Sequence, residues 1–231
     1  MSQFPMLARV DGQIQQAIAE HAHERSYRAG QMIVLAGEPS QAVYLMAQGR
    51  VRSQRSSLHG REYVLHELGP GECFNLASVL DGGHNLATVT AASDAVLYAV
   101  PAQEFRRIAS EYPALSLALL THLTRRVRHL YDAVEGLALY DVRIRLARCL
   151  LANTRRATGT HSLGSSGHCP LSLTQGDLAA QIGTVRDVVG RTLRSFSQEG
   201  LIRRERGRVV VTDFAGLRRE ALHEQSVRMA S

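Results

Sequence analysis

Arginine dominates the stretch from Thr174 to Arg208. Arg186 and Arg191 lie in TQGDLAAQIGTVRDVVGRTLR, with Asp187 and Gly190 on the same predicted helix face. Arg203, Arg204, Arg206 and Arg208 come next in a short turn. A guanidinium presents a planar fork of donors that matches phosphate oxygens. The chemistry these residues are suited to is therefore recognition of a polyanion rather than making or breaking bonds.

Two short helices with a tight turn between them must position those arginines. Thr174 and Asp177 have the capping-box spacing that opens a first helix. Leu178, Ala179 and Ile182 give that helix one apolar face. Gly183 supplies the turn, since a residue without a Cβ accepts positive φ. Thr184 and Asp187 repeat the capping spacing and predict a second capping box, on a helix buried through Val188 or Val189 and Leu193. A helical hairpin inside an ordinary core shares this pattern. The next residues separate the two readings: Leu201-Ile202 and Val209–Val211 flank the arginine turn as a hairpin. A helix-turn-helix followed by such a wing is a winged helix, whose second helix can enter the major groove of DNA.

Charge agrees with that placement. The chain has 231 residues, and its 27 basic residues are all arginine. Residues 1–139 hold 12 Arg against 13 acidic residues, whereas residues 140–231 hold 15 against 8. The basic excess sits in the half with the arginine helix, where a polyanion would bind. Cys73, Cys149 and Cys169 form no CxxC pair, so a reducing cytosol without a disulfide framework is expected. No signal peptide is expected from MSQFPMLARVDGQ, and no apolar run approaches the length of a membrane span.

From the start of the chain, residues 6–24 read as a helical lead-in with Ile14 and Ile18 apolar. Short β-rich pieces come after it: 31–35, 43–46, 51–53, 63–68, 87–91 and 96–100, separated by glycine turns. Such a series predicts a barrel or jelly roll enclosing a pocket, a candidate sensor. A helix from Pro101 to Ile108 precedes a long one from Pro113. In the long helix Leu120, Val127 and Val134 recur every seven residues, as do Leu123, Leu130 and Leu137, which is a two-stranded seam. A stripe packed on the helix's own domain has the same look. Asp141 is expected to cap a helix over 142–151, 158–167 to form a flexible loop, 170–173 a strand, and 213–228 a closing helix.

The order of β-roll, long helix and winged helix resembles the cyclic-AMP receptor protein / fumarate–nitrate reduction regulator (CRP/FNR) family over nearly the whole chain. The motifs are Gly37-Glu38, Val43-Tyr44-Leu45, Leu68-Gly69-Pro70-Gly71-Glu72-Cys73-Phe74, Leu137–Val142 and Gly183–Arg191. The resemblance implies an α+β chain: a β-roll of cyclic-nucleotide-binding type over 1–112, a dimerisation helix over 113–140 and a winged helix-turn-helix domain over 141–231. It also implies a homodimeric transcription regulator that binds pseudo-palindromic double-stranded DNA and contacts RNA polymerase. Arg186 and Arg191 match the arginines of the family's DNA signature, and Asp187 stands where glutamate is usual. Arginine is bidentate to guanine, and a carboxylate accepts from cytosine N4. The candidate DNA-contacting set is Thr174, Gln175, Arg186, Asp187, Arg191, Arg206 and Arg208.

The sensor half departs from the family's cyclic-AMP members. Their Gly-Glu and Arg-Ser pairs, which hold ribose and phosphate, are replaced by Phe74-Asn75-Leu76-Ala77 and Asn85-Leu86-Ala87. No arginine occurs between Arg61 and Arg106, and a phosphate buried without a cation is costly. On the long helix, Leu130-Tyr131 replaces the hydroxyl pair that meets adenine. Cyclic AMP is therefore not the expected effector. The candidate effector pocket is Phe74, Asn75, Leu76, Leu86, Ala87, Leu130 and Tyr131. An iron–sulfur cluster is not expected from three scattered cysteines. Haem stays open through His59, His66, His84 and Cys73. His168-Cys169 lacks a partner pair for zinc, so no metal site is expected. Two rival functions stand against the regulator: a cupin-like metal enzyme using His59, Glu62, His66 and Glu67, and a module that regulates an attached effector without touching DNA.

Overall fold

A computed structural model describes residues 1–231 apart from Ser2, Arg9, His59, Arg61, 159–169, Ser172, Arg206, Gly207 and 229–231. The side chains of 155–158, 170 and 223–228 are also outside the description. The 158–167 loop, His59, His168, Cys169 and Arg206 thus fall wholly or mostly outside the described residues. The chain divides into two compact units, Met1–Arg55 with Val64–Leu130, and Ser56–Tyr63 with Tyr131–Ser231.

The first unit is built on two four-stranded sheets. Its elements are α1 (Gly12–Glu20), β1 (His23–Tyr27), β2 (Met32–Val34), β3 (Ala42–Gln48), β4 (Val51–Ser56), β5 (Glu62–Leu68), β6 (Cys73–Phe74), α2 (Leu76–Asp81), β7 (Thr88–Ala91), β8 (Ala95–Pro101), α3 (Ala102–Glu111) and the start of α4 (Pro113–Leu139). The sheet orders are β1-β8-β3-β6 and β2-β7-β4-β5. The continuous apolar run of β3 is explained by burial on both faces. Val43 and Leu45 pack with Phe4, Ile18, Phe105 and Ile108 on the helical side. Tyr44 and Met46 point the other way, with Val51, Phe74, Val89 and Leu97. The expected jelly roll is present, and Met46, Val51, Leu68, Phe74, Val89 and Leu97 form a buried cluster within it. Gly49 closes the β3–β4 turn at φ 78°, and a Cβ there would stand 2.1 Å from Asp94 O.

Three expectations for this unit change. The lead-in helix is confined to α1, and residues 23–27 (HERSY) form an edge strand paired with β8. Charged, non-alternating sequence is how an exposed edge resists pairing with another chain, so apolar periodicity gives no sign of it. The strand β6 and helix α2 were not anticipated, because the chain turns sharply at Asn75, a non-glycine residue at φ 67°.

The second unit holds α5 (Val142–Thr158), β9 (Pro170–Leu171), α6 (Gln175–Ile182), α7 (Arg186–Gln198), β10 (Ile202–Glu205), β11 (Arg208–Val211) and α8 (Phe214–Arg228). Leu146, Leu150, Leu178, Val189, Leu193, Phe196, Val211 and Leu217 form its core. Asp141 Oδ1 accepts from Ile144 N at 2.8 Å, the expected cap of α5. The hairpin β10–β11 gains a third strand, β9, beside β11.

Candidate nucleic-acid interface

The recognition motif is assembled from local rules that the sequence states. At α6, Thr174 Oγ1 accepts from Asp177 N while the Asp177 carboxylate accepts from Thr174 N, each at 3.0 Å, completing the capping box. Gly183 ends the helix in the left-handed region at φ 66°. The second capping box does not form. Val185 is the N-cap residue of α7 and gives no side-chain hydrogen bond, and Asp187 falls in the first helical turn. There its carboxylate still meets the positive end of the helix dipole.

Helix α7 is sharply two-sided. Val189, Gly190, Leu193 and Phe196 are buried, whereas Val185, Arg186, Asp187, Arg191 and Arg194 are exposed. Of the pair weighed for the buried face, Val189 is fully buried and Val188 only partly. Gly190 turns inward rather than sharing the arginine face: a Cβ there would lie 3.1 Å from Gln175 Oε1. Thr174 is exposed and Gln175 half-buried at the start of α6. In the wing, Arg203, Arg204 and Arg208 are exposed, with Arg203 paired to Glu205 at 2.6 Å. Arg194 was missed by sequence reasoning; its spacing of three from Arg191 was the available signal.

A half-exposed clamp holds α7 at its other end. Arg143 on α5 donates to Glu199 and Glu220 and, at 2.8 Å, to Ser195 Oγ, with its guanidinium 4.8 Å from the Phe196 ring centre. Those donors hold the Glu199 carboxyl below its ordinary value, with Arg143 the larger cause and Ser195 the lesser. Arg145 Nη1 donates to Ile182 O at 2.8 Å, satisfying a carbonyl at the end of α6.

In the sensor half, the candidate pocket residues separate into core and surface. Phe74 is buried and stacked on Tyr44, with ring centres 4.8 Å apart. Leu76 and Ala87 are buried, and Leu86, Leu130 and Tyr131 are exposed. Asn75 Nδ2 donates to Ser40 Oγ at 2.9 Å and to Ala42 O at 3.0 Å. His66 lies on β5 and His84 bridges to Pro39, while Cys73 lies against Met6 and His122. Glu67, on β5, pairs with Arg52 at 3.2 Å. Among the described residues, no group of three or more His, Cys, Asp or Glu could hold a metal. A cavity of about 400 Å³ lies elsewhere in this unit, with Met6, Leu45, Cys73, Ala118 and His122 in its lining. Burial pushes the Cys73 thiol up to about 12. Burial, with Arg126 and Arg125 nearby, lowers His122, and burial lowers Arg126 to about 10.

Along α4, Leu120, Val127, Leu130, Val134 and Leu137 are exposed, between 42% and 63%. Leu123 instead packs partly against its own unit's core. No described helix is long and apolar enough to cross a membrane.

Comparison with known proteins agrees with both halves. Residues 24–112 match the cyclic nucleotide-binding domain, and residues 144–220 match the Crp-like helix-turn-helix domain. The chain is 34% identical to the cyclic AMP receptor protein of Thermus thermophilus, over 83% of this chain and 84% of that one. It is 28% identical to a CRP-like cAMP-activated global transcriptional regulator of Mycobacterium tuberculosis, over 89% and 91%. A crystal structure of a CRP/FNR-family regulator from Eubacterium rectale has the same fold, with a TM-score of 0.81 at 21% identity, over 96% of this chain and 99% of that one. With its cyclic-nucleotide-type β-roll and its DNA-binding helix-turn-helix, this chain belongs to the CRP/FNR family of transcription regulators.

Proposed function

We propose that the protein acts as a cytoplasmic, non-enzymatic homodimer that reads a pseudo-palindromic operator through α7 and contacts RNA polymerase beside it. The observation that carries this reading is the two-sidedness of α7. Its apolar face is seated in the core, leaving Arg186, Asp187, Arg191 and Arg194 exposed together. Arg186 and Arg191 then read guanines bidentately, Asp187 accepts from a cytosine, and Arg208 with Arg206 of the wing grips phosphate. The exposed stripe Leu120–Val127–Val134 supports pairing of two α4 helices. Two-fold symmetry would space the half-sites about one helical turn apart.

The effector we propose is not cyclic AMP, although the Thermus and Mycobacterium relatives are named for it. Asn75 stands where the ribose-binding pair belongs, and its amide is engaged by Ser40 and Ala42. Fluorescence anisotropy on DNA from the protein's own promoter region, at fixed salt with and without cyclic AMP, tests both parts. Tight binding indifferent to cyclic AMP is the expected outcome. Binding only after cyclic AMP is added would overturn the effector reading, and no preference over scrambled DNA would overturn the operator reading.

A further inference from the structure

The cavity of the first unit brings together three soft or borderline donors from distant parts of the chain. Met6 precedes α1, Cys73 opens β6, and His122 lies on α4. Cys73 Sγ is 3.9 Å from Met6 Sδ and 3.6 Å from His122 Nε2. We infer that the protein binds one soft monovalent metal ion, Cu(I), between Met6 Sδ, Cys73 Sγ and His122 Nε2.

Two of the three donor pairs already stand at the spacing of a shared ion. Bonds of about 2.3 Å to sulfur and 2.0–2.1 Å to nitrogen, as in other closed-shell d¹⁰ sites, place two donors on one metal roughly 3.5–4.0 Å apart. Both observed separations fall in that range. Donor type selects the ion: a thiolate with a thioether favours Cu(I), whereas carboxylate-rich sets favour hard cations. Charge selects it again. Cu(I) with one thiolate adds no net charge beside Arg125, in the cavity lining, and Arg126, whose field reaches Cys73. A divalent ion would leave one positive charge where the two guanidiniums outnumber the single carboxylate of Glu72 in the lining. On binding, the Cys73 thiol releases its proton to solvent and its sulfur donates a lone pair to copper, with no change of oxidation state. The ion would then tie the N-terminal segment, β6 and α4 together. Without a metal, the same three groups make a weak S–H hydrogen bond and a sulfur–sulfur packing contact.

The test is competition for Cu(I) held by bicinchoninate, using the reduced full-length protein without DNA. The wild type should withdraw one Cu(I) per chain, with X-ray absorption showing two sulfurs and one nitrogen. Changes in the outer shell of metal sites cost about 10–100-fold in affinity, so removing a ligand by Cys73→Ser should cost at least about 100-fold. Met6→Leu, which keeps the apolar volume, should weaken binding less, and the double variant Cys149→Ser/Cys169→Ser should match the wild type. Failure of the wild type to withdraw copper would overturn the site. So would loss in the double variant with retention in Cys73→Ser. The readout is metal stoichiometry, so it is independent of DNA binding.

Discussion

Gln175 and Gly190 meet where α6 and α7 cross, with the Gln175 amide oxygen 3.1 Å from where a Gly190 Cβ would stand. The contact explains a glycine in mid-helix, where alanine would be favoured by about 1 kcal/mol. Gly190→Ala pushes on the far end of a flexible side chain, which can swing aside. Its melting temperature should hold or rise slightly, while operator affinity falls as Gln175 leaves its place. Thermal melts and anisotropy on one sample check both. A fall of several degrees would show that the crossing cannot give.

Arg186 and Arg208 are both exposed, on different elements, and should fail differently. Arg186→Ala should cost about 1–3 kcal/mol on the operator and relax the preference at one base pair per half-site. Arg208→Ala should weaken binding on operator and scrambled DNA alike and flatten the dependence of affinity on salt. Titrations at several salt concentrations separate the two. Unchanged discrimination in Arg186→Ala would remove that residue from base reading.

What the sequence reveals depends on how local each cause is. Thr174 and Asp177 are three residues apart, and their mutual hydrogen bonds are a property of that spacing. Thr184 and Asp187 have the same spacing, yet α7 begins at Arg186 with Val185 as its N-cap, one residue later than a box on Thr184 would require. The arginine face of α7 was legible as a periodicity; the inward turn of Gly190 was not, because it depends on where α6 crosses. The β1 edge carries no apolar signal, and β6 with α2 hinges on one unusual backbone angle at Asn75. The Met6–Cys73–His122 cluster joins residues 67 and 49 positions apart, so only the folded roll shows it.

Val134 is 63% exposed in the stripe along α4, which suits a seam between two copies. In a two-fold seam a carboxylate at this position faces the apolar seam of the partner helix, close to its own symmetry mate. Val134→Glu should shift the protein from dimer to monomer in sedimentation velocity and lower operator affinity. The stability of the separated chain should stay within about 0.5 kcal/mol, as for other surface changes. A variant that remains dimeric would place the seam elsewhere.

Arg143 joins α5 to α7 and α8 through Glu199, Ser195 and Glu220, and so makes stability depend on acid. Its hydrogen bonds to Glu199 lower that carboxyl, and those to both glutamates raise the guanidinium. A lowered carboxyl contributes stability that is complete above its unfolded value, about 4.3, and is lost as pH falls through the folded value. The raised guanidinium contributes nothing variable there, since its stabilisation is lost only in strong alkali. Arg143→Met keeps packing on Phe196 but removes the donors, and should cost about 1–2 kcal/mol at pH 7, given how exposed the pairs are. From pH 5 to pH 3 the variant should lose less stability than the wild type, so the two curves converge. Urea unfolding at pH 7, 5, 4 and 3 measures this. Parallel curves would show that the Glu199 carboxyl is not held down by Arg143.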